Sequence, residues 1–139
     1  MSGRRRRIAG VLIALCVLPL GLTACGTAGE RGADASAAAE ALEDALGRGD
    51  LAALCAALAP QTRSEVEESE KKACVDAIGS QDLPAGGAVR GVDVYGRQAR
   101  VVLASDTLFL SRFPDGWKVV AAGCRPRPGL PYQCSVEGS

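Results

Sequence analysis

Cysteine supplies most of the reactive chemistry in this chain of 139 residues, which has six Cys and no His. Without His, every His-dependent triad and the commonest metal ligand are gone. Cys55, Cys74, Cys124 and Cys134 contain no Cys-x-x-Cys pair, a poor start for a zinc site, so no metal is expected. Their other use is as two disulfides, provided the chain reaches an oxidising compartment. Four thiols allow three pairings, of which Cys55–Cys74 and Cys124–Cys134 are favoured. The first would staple the second helix to the third, and the second would tie the tail to the last strand. A simple helical hairpin folded about residues 60–63 would bring Cys55 nearer to residue 69 than to Cys74, so either those helices splay or the loop between them is longer. The best catalytic candidates are Asp93 and Tyr95, two apart on one strand and so on one face. Arg100 stands opposite Asp93 in the expected hairpin, however, and that makes an ordinary cross-strand charge pair. No phosphate loop, nucleophile elbow or dinucleotide fingerprint is present, so no cofactor is expected.

The compartment is written at the start of the chain. Arg4 to Arg7 form a positive segment, and Ile8 to Leu22 are apolar over fifteen residues, short for a bilayer span of ~20. Leu22-Thr23-Ala24-Cys25 follows, which resembles the lipobox of bacterial lipoproteins. The resemblance implies a signal peptide over 1–24, a diacylglyceryl group on the Cys25 sulfur, and a mature chain beginning at Cys25. It implies a membrane held through the lipid anchor, on the extracytoplasmic face. Cys16 lies in the discarded segment.

Charge excludes one large class of partner. Residues 30–82 carry twelve acidic and five basic side chains, and residues 83–139 carry four and seven. Neither half has the dense basic stripe that phosphate backbones require, so no nucleic acid partner is expected.

The elements that must position these residues follow from periodicity. Residues 25–33 read as the lipidated Cys and a flexible tether, and 34–139 as a single domain. Ser36 to Leu46 is a helix with Ala38, Leu42, Ala45 and Leu46 on one face. Asp50 caps a second helix that buries Leu51, Leu54, Cys55 and Leu58, and Pro60 ends it. Ser64-Glu65-Val66-Glu67 has the form of a capping box for a third helix running to Ile78, with Val66, Ala73, Ala77 and Ile78 as its buried stripe. Glu67–Lys71 and Glu68–Lys72 would pair along its solvated face. The pattern then changes to period two. Residues 88–95 and 98–105 form a hairpin about Gly96-Arg97, with Val94 facing Ala99 and Val92 facing Val101. Residues 107–113 and 117–124 form another about Pro114-Asp115-Gly116, whose loop fits two or three residues. Trp117 is expected in the core, and residues 125–139 as an irregular tail.

The sum is an α+β fold with about three helices packed on a curved four-stranded antiparallel meander. This order resembles the conical fold of the nuclear transport factor two-like superfamily, in which a curved sheet encloses a pocket. More narrowly, Leu46 to Cys55, Asp106 to Leu110, Asp115 to Cys124 and Pro131 to Cys134 resemble small lipoproteins of actinobacteria. That likeness implies a fold and an address but no activity. Some enzymes of the conical superfamily use an Asp base and a Tyr oxyanion donor, which gives Asp93 and Tyr95 their alternative role in an isomerase- or hydrolase-like site. Such an enzyme needs Asp93 or Asp106 in a pocket with a perturbed pKa. The expected function is non-catalytic, a lipid-anchored binding module for an envelope protein partner or a small apolar ligand in the cone.

Overall fold

The computed structural model describes residues 27–138. The expected signal peptide and Cys25 lie outside them. Helix α1 runs from Ala28 to Arg48, eight residues earlier than the alanine-rich stretch suggested. The cause is a capping box in the expected tether: Thr27 Oγ1 accepts from Glu30 N at 3.2 Å, and Glu30 Oε2 accepts from Thr27 N at 2.6 Å. Residues 28–33 are therefore helical. At the other end Gly49 takes the left-handed conformation that a Cβ disfavours, and its N–H caps the Leu46 carbonyl at 3.1 Å. Ala35, Ala39, Leu42 and Ala45 are the buried stripe, with Ala38 and Leu46 packed beside them.

Asp50 caps helix α2, Leu51–Ala57, by accepting from Ala53 N at 3.0 Å. Leu54, Cys55 and Leu58 are buried, but Leu51 stays partly exposed. Pro60 opens helix α3, Pro60–Glu70, rather than ending α2, because its missing N–H costs nothing at a first helical position. The expected capping box at Ser64 is accordingly mid-helix, where Ser64 Oγ donates to the Pro60 carbonyl. Lys71 takes the left-handed conformation and stops α3, and Cys74 begins a separate short helix, α4, Cys74–Ala77. The single third helix to Ile78 is thus broken in two, and Ala73 is exposed instead of buried. The charge pattern shifts with it. Arg63 pairs with Glu67 at 3.1 Å, and Glu67 also accepts from Cys74 N at 3.1 Å, across the break.

The sheet has five strands, the first four side by side in chain order, with each neighbouring pair antiparallel. The first four are β1 Val89–Tyr95, β2 Gln98–Leu103, β3 Thr107–Phe113 and β4 Gly116–Ala122. The first hairpin has the expected register, with Val92 opposite Val101, Asp93 opposite Arg100 and Val94 opposite Ala99. The second closes with a two-residue loop, since Phe113 pairs with Gly116. The tail is more regular than its prolines suggested. β5 Arg125–Arg127 and β6 Leu130–Gln133 form a hairpin about Pro128-Gly129, and β7 Val136–Glu137 joins the main sheet beside β4. Both strands of a two-stranded ribbon are edges, so Pro126 and Pro131 need not donate to a ladder. The remaining edge of β4 is covered by residues 58–59, with Ala59 N donating to the Val119 carbonyl at 2.8 Å.

The helices cover one face of the sheet. Leu42, Val101, Leu108, Leu110 and Val119 are fully buried between the layers, and Trp117 is 6% exposed among them. Each such aliphatic side chain stabilises by about 1.5–3 kcal/mol on burial.

The strand turns place two ends on the molecule. The β1–β2 and β3–β4 turns share one end with the start of α1, where Arg31 Nη1 donates to the Gly96 carbonyl at 3.4 Å and Arg112 pairs with Asp34 at 3.3 Å. The β2–β3 connection and Cys124 lie at the other end.

Candidate functional site

Alternation along β1, β2 and β3 turns Asp93, Tyr95, Gln98, Arg100 and Phe109 to the face away from the helices. Asp93 Oδ2 accepts two hydrogen bonds from Arg100, from Nη2 at 2.6 Å and from Nε at 3.1 Å. The carboxylate, and to a smaller degree Tyr132 nearby, push the Arg100 pKa further up. Asp93 is thus engaged by a cation and half exposed, while Tyr95 stands 68% exposed beside the turn.

The tail completes this face. Its β5–β6 hairpin lays Tyr132 edge-on against Phe109, with ring centroids 5.1 Å apart and planes at 78°. Between them and the β1–β2 turn lies a groove of about 300 Å³, lined by Tyr95, Gln98, Arg100, Phe109, Val120 and Tyr132. Of the catalytic candidates read from the sequence, Tyr95 is among these lining residues, and Arg100 pairs with Asp93 as expected. Phe109 and Tyr132 were not among those candidates; they are 23 residues apart and meet only because the tail folds back. The alternation of β3 could have placed Phe109, but nothing in the sequence places Tyr132. The groove also lies on the face opposite the one expected for a ligand. The space between helices and sheet is filled by the aliphatic side chains named above.

A second constellation joins residues of distant segments. Glu43 on α1 accepts from Gly86 N at 2.8 Å and from Gly87 N at 3.1 Å through one carboxylate oxygen, while its other oxygen is buried without a hydrogen-bond partner. Asp106 is 8% exposed and accepts from Thr107 N at 2.7 Å and Gly123 N at 3.1 Å. Burial raises both pKa values, and the Asp106 charge adds to the rise at Glu43. A side chain at Gly86 would collide with those of Leu103 and Asp106, so only glycine lets the chain at residues 86–87 approach this closely. A buried carboxyl with a raised pKa is a feature of catalytic acids. Here the oxygens of Asp106 are occupied by backbone N–H groups that fix the turns around it, a structural use. The Gly86-Gly87 pair was the available sequence signal for a close approach, but it does not name Glu43.

Both favoured cysteine pairings are present. Cys55 bonds to Cys74 with a Cα–Cα separation of 6.0 Å, and Cys124 to Cys134 at 3.9 Å. The break at residues 71–73 brings Cys74 back to Cys55, which removes the distance mismatch of a continuous hairpin. Among the described residues no group of three His, Cys, Asp or Glu side chains is placed to hold a metal ion. No helix among them is long and apolar enough to cross a membrane. No family model matches the chain, and neither a curated protein nor a solved structure matches it.

Proposed function

We propose that the chain is a bacterial lipoprotein, anchored through Cys25 on the extracytoplasmic face of the cell membrane, whose domain binds an apolar or aromatic ligand in the groove on the outer face of the sheet. The ligand is a small molecule or a side chain presented by an envelope protein. The observation that carries this reading is where the aromatic residues lie. The chain has two Tyr and two Phe. Tyr95, Phe109 and Tyr132 line the groove, and strand alternation puts Phe113 on the same face. The groove volume lies at the lower end of the range for small-molecule sites, and the Arg100–Asp93 pair supplies the few polar groups that orient a ligand. The leader and the two disulfides support the address. The α+β order supports a conical fold of the nuclear transport factor two-like kind, here with its cone filled. The alternative, an enzyme using Asp93 and Tyr95, has less support because Asp93 is held by Arg100 and half exposed.

The test is native mass spectrometry of the acylated protein taken from its own membrane, beside the Phe109→Ala and Arg100→Ala variants. A small molecule or peptide retained by the wild type and lost from both variants is the expected result. Equal retention in all three would remove the groove from the reading. The anchor is tested by fractionation, where Cys25→Ala should release the protein from the membrane pellet.

A further inference from the structure

We propose that the end of the domain carrying the start of α1 and the β1–β2 turn rests on the bilayer that anchors the chain, with Tyr95 and Arg97 in the headgroup layer. The inference rests on the lipoprotein reading of Cys25 and adds an orientation to it.

Chain length holds the domain close to its lipid. Thr27 is fixed by the capping box, so only Cys25 and Gly26 precede the rigid domain in the mature chain. From Cys25 to Thr27 the backbone can span at most about 7 Å. The expected tether of some eight residues would have let the domain tumble freely above the membrane. With its first helical turn held this close to the lipid, the domain has little choice of which end faces the surface.

The start of α1 shares its end of the domain with two strand turns. Arg31 ties α1 to the Gly96 carbonyl, and the Asp34–Arg112 pair ties it to the end of β3. The β1–β2 turn therefore lies beside the anchor. It presents Tyr95, 68% exposed, at the end of β1 and Arg97, also exposed, in the turn itself, with one guanidinium nitrogen of Arg97 donating to the Arg112 carbonyl at 2.7 Å. An amphipathic ring is favoured at the boundary between headgroups and water, and a guanidinium beside it suits phosphate oxygens. The twenty-one residues of α1 span about 30 Å, which carries Leu51, just past its far end, well away from the surface. The groove, whose rim includes Tyr95 and Gln98, then opens at headgroup level, where it meets ligands that partition into the membrane.

The test uses the acylated full-length product in phosphatidylcholine–phosphatidylglycerol vesicles containing a headgroup-spin-labelled lipid. Tyr95→Trp and Leu51→Trp each add one indole at an exposed position, and the buried native Trp117 gives the same background in both. The expected result is quenching of the Tyr95→Trp signal at least twofold greater than that of Leu51→Trp. Equal quenching, or stronger quenching at position 51, overturns the orientation while leaving the anchor intact. So does an indole at position 95 that is unquenched in vesicles but shielded from a water-soluble quencher in native membranes, since a protein then covers that end. A product that lacks the diacylglyceryl mass and does not bind vesicles overturns both the anchor and the orientation.

Discussion

The two faces of the sheet are made by the same strands and hold opposite inventories. The inner face is Ala99, Val101, Leu103, Leu108, Leu110 and Val119, all nearly or fully buried under alanine-rich helices. The outer face gathers Tyr95, Phe109 and Tyr132 around a charge pair and leaves a groove between them. In a small domain, large aromatic side chains are the most effective core material. This chain keeps only Trp117 for that use and places its other rings outside. The inner face holds the fold with aliphatic side chains and the helices stapled by Cys55–Cys74, and the outer face presents a surface.

The sharpest way to break the comparison is to remove equivalent bulk from each side. Leu108→Ala opens a cavity in a fully buried site and should cost about 2–5 kcal/mol in urea unfolding. Phe109→Ala, its neighbour on the half-buried outer face, should cost about 1 kcal/mol and yet abolish retention of the groove ligand. Equal destabilisation would mean that the outer rings are a second core.

Next in size is the staple that holds the tail across the outer face. The double variant Cys124→Ser, Cys134→Ser loses a bridge with a sequence separation of 10. It should lose roughly 2–3 kcal/mol by the loop-entropy relation, melt lower than wild type, and expose residues 125–135 to protease. Loss of Tyr132 from its place on Phe109 should also weaken ligand retention. Unchanged retention would confine the site to the four-stranded meander.

The desolvated carboxyls of Glu43 and Asp106 should show themselves in the pH dependence. Glu43 and Asp106 both have raised pKa values in the folded chain, so the native state binds more protons than the unfolded one above the ordinary carboxylate range. Stability should therefore be fullest below the unfolded pKa and fall as pH rises through the folded values. Glu43→Gln should make that fall shallower, as read from denaturation midpoints across the acid range. Glu30 acts in the opposite sense, since hydrogen bonds with Thr27 lower its pKa. An identical pH profile for the variant would place the slope elsewhere.

The smallest effect is expected at the Arg100–Asp93 pair. Its side chains are 39% and 43% exposed, so Asp93→Asn should change stability by less than about 1 kcal/mol. Its consequence should appear in ligand retention, because Arg100 loses the partner that orients it.

Much of the inner face was legible. Strict alternation in β1 and β2 and the tight turn at Gly96-Arg97 determine the register, since a slip of one residue would turn Val101 and Leu103 to solvent. Asp50 marked the start of α2 because a cap is a local interaction. The start of α1 was local too, but Thr27-Ala28-Gly29-Glu30 sits in glycine-rich sequence and was read as tether. The third helix failed differently. Its glutamates and lysines favour one continuous helix, and only closure of Cys74 onto Cys55, with Ile78 and Ala77 packed in the core, rewards the break at Lys71.

By itself the sequence determined the α+β order, the first hairpin register and the pairing of Asp93 with Arg100, because each follows from local periodicity or from neighbours across one tight turn; it favoured one of three cysteine pairings, and the break at Lys71 let the Cys55–Cys74 bridge close. Tertiary structure decided where the groove lies. Tyr132 reaches Phe109 only after the tail has turned about Pro128-Gly129 and been bridged to Cys124, and Glu43 finds Gly86 only once α1 lies on the sheet. Such contacts join residues whose spacing along the chain carries no periodic signal, so they arise only when the packed layers bring the segments together.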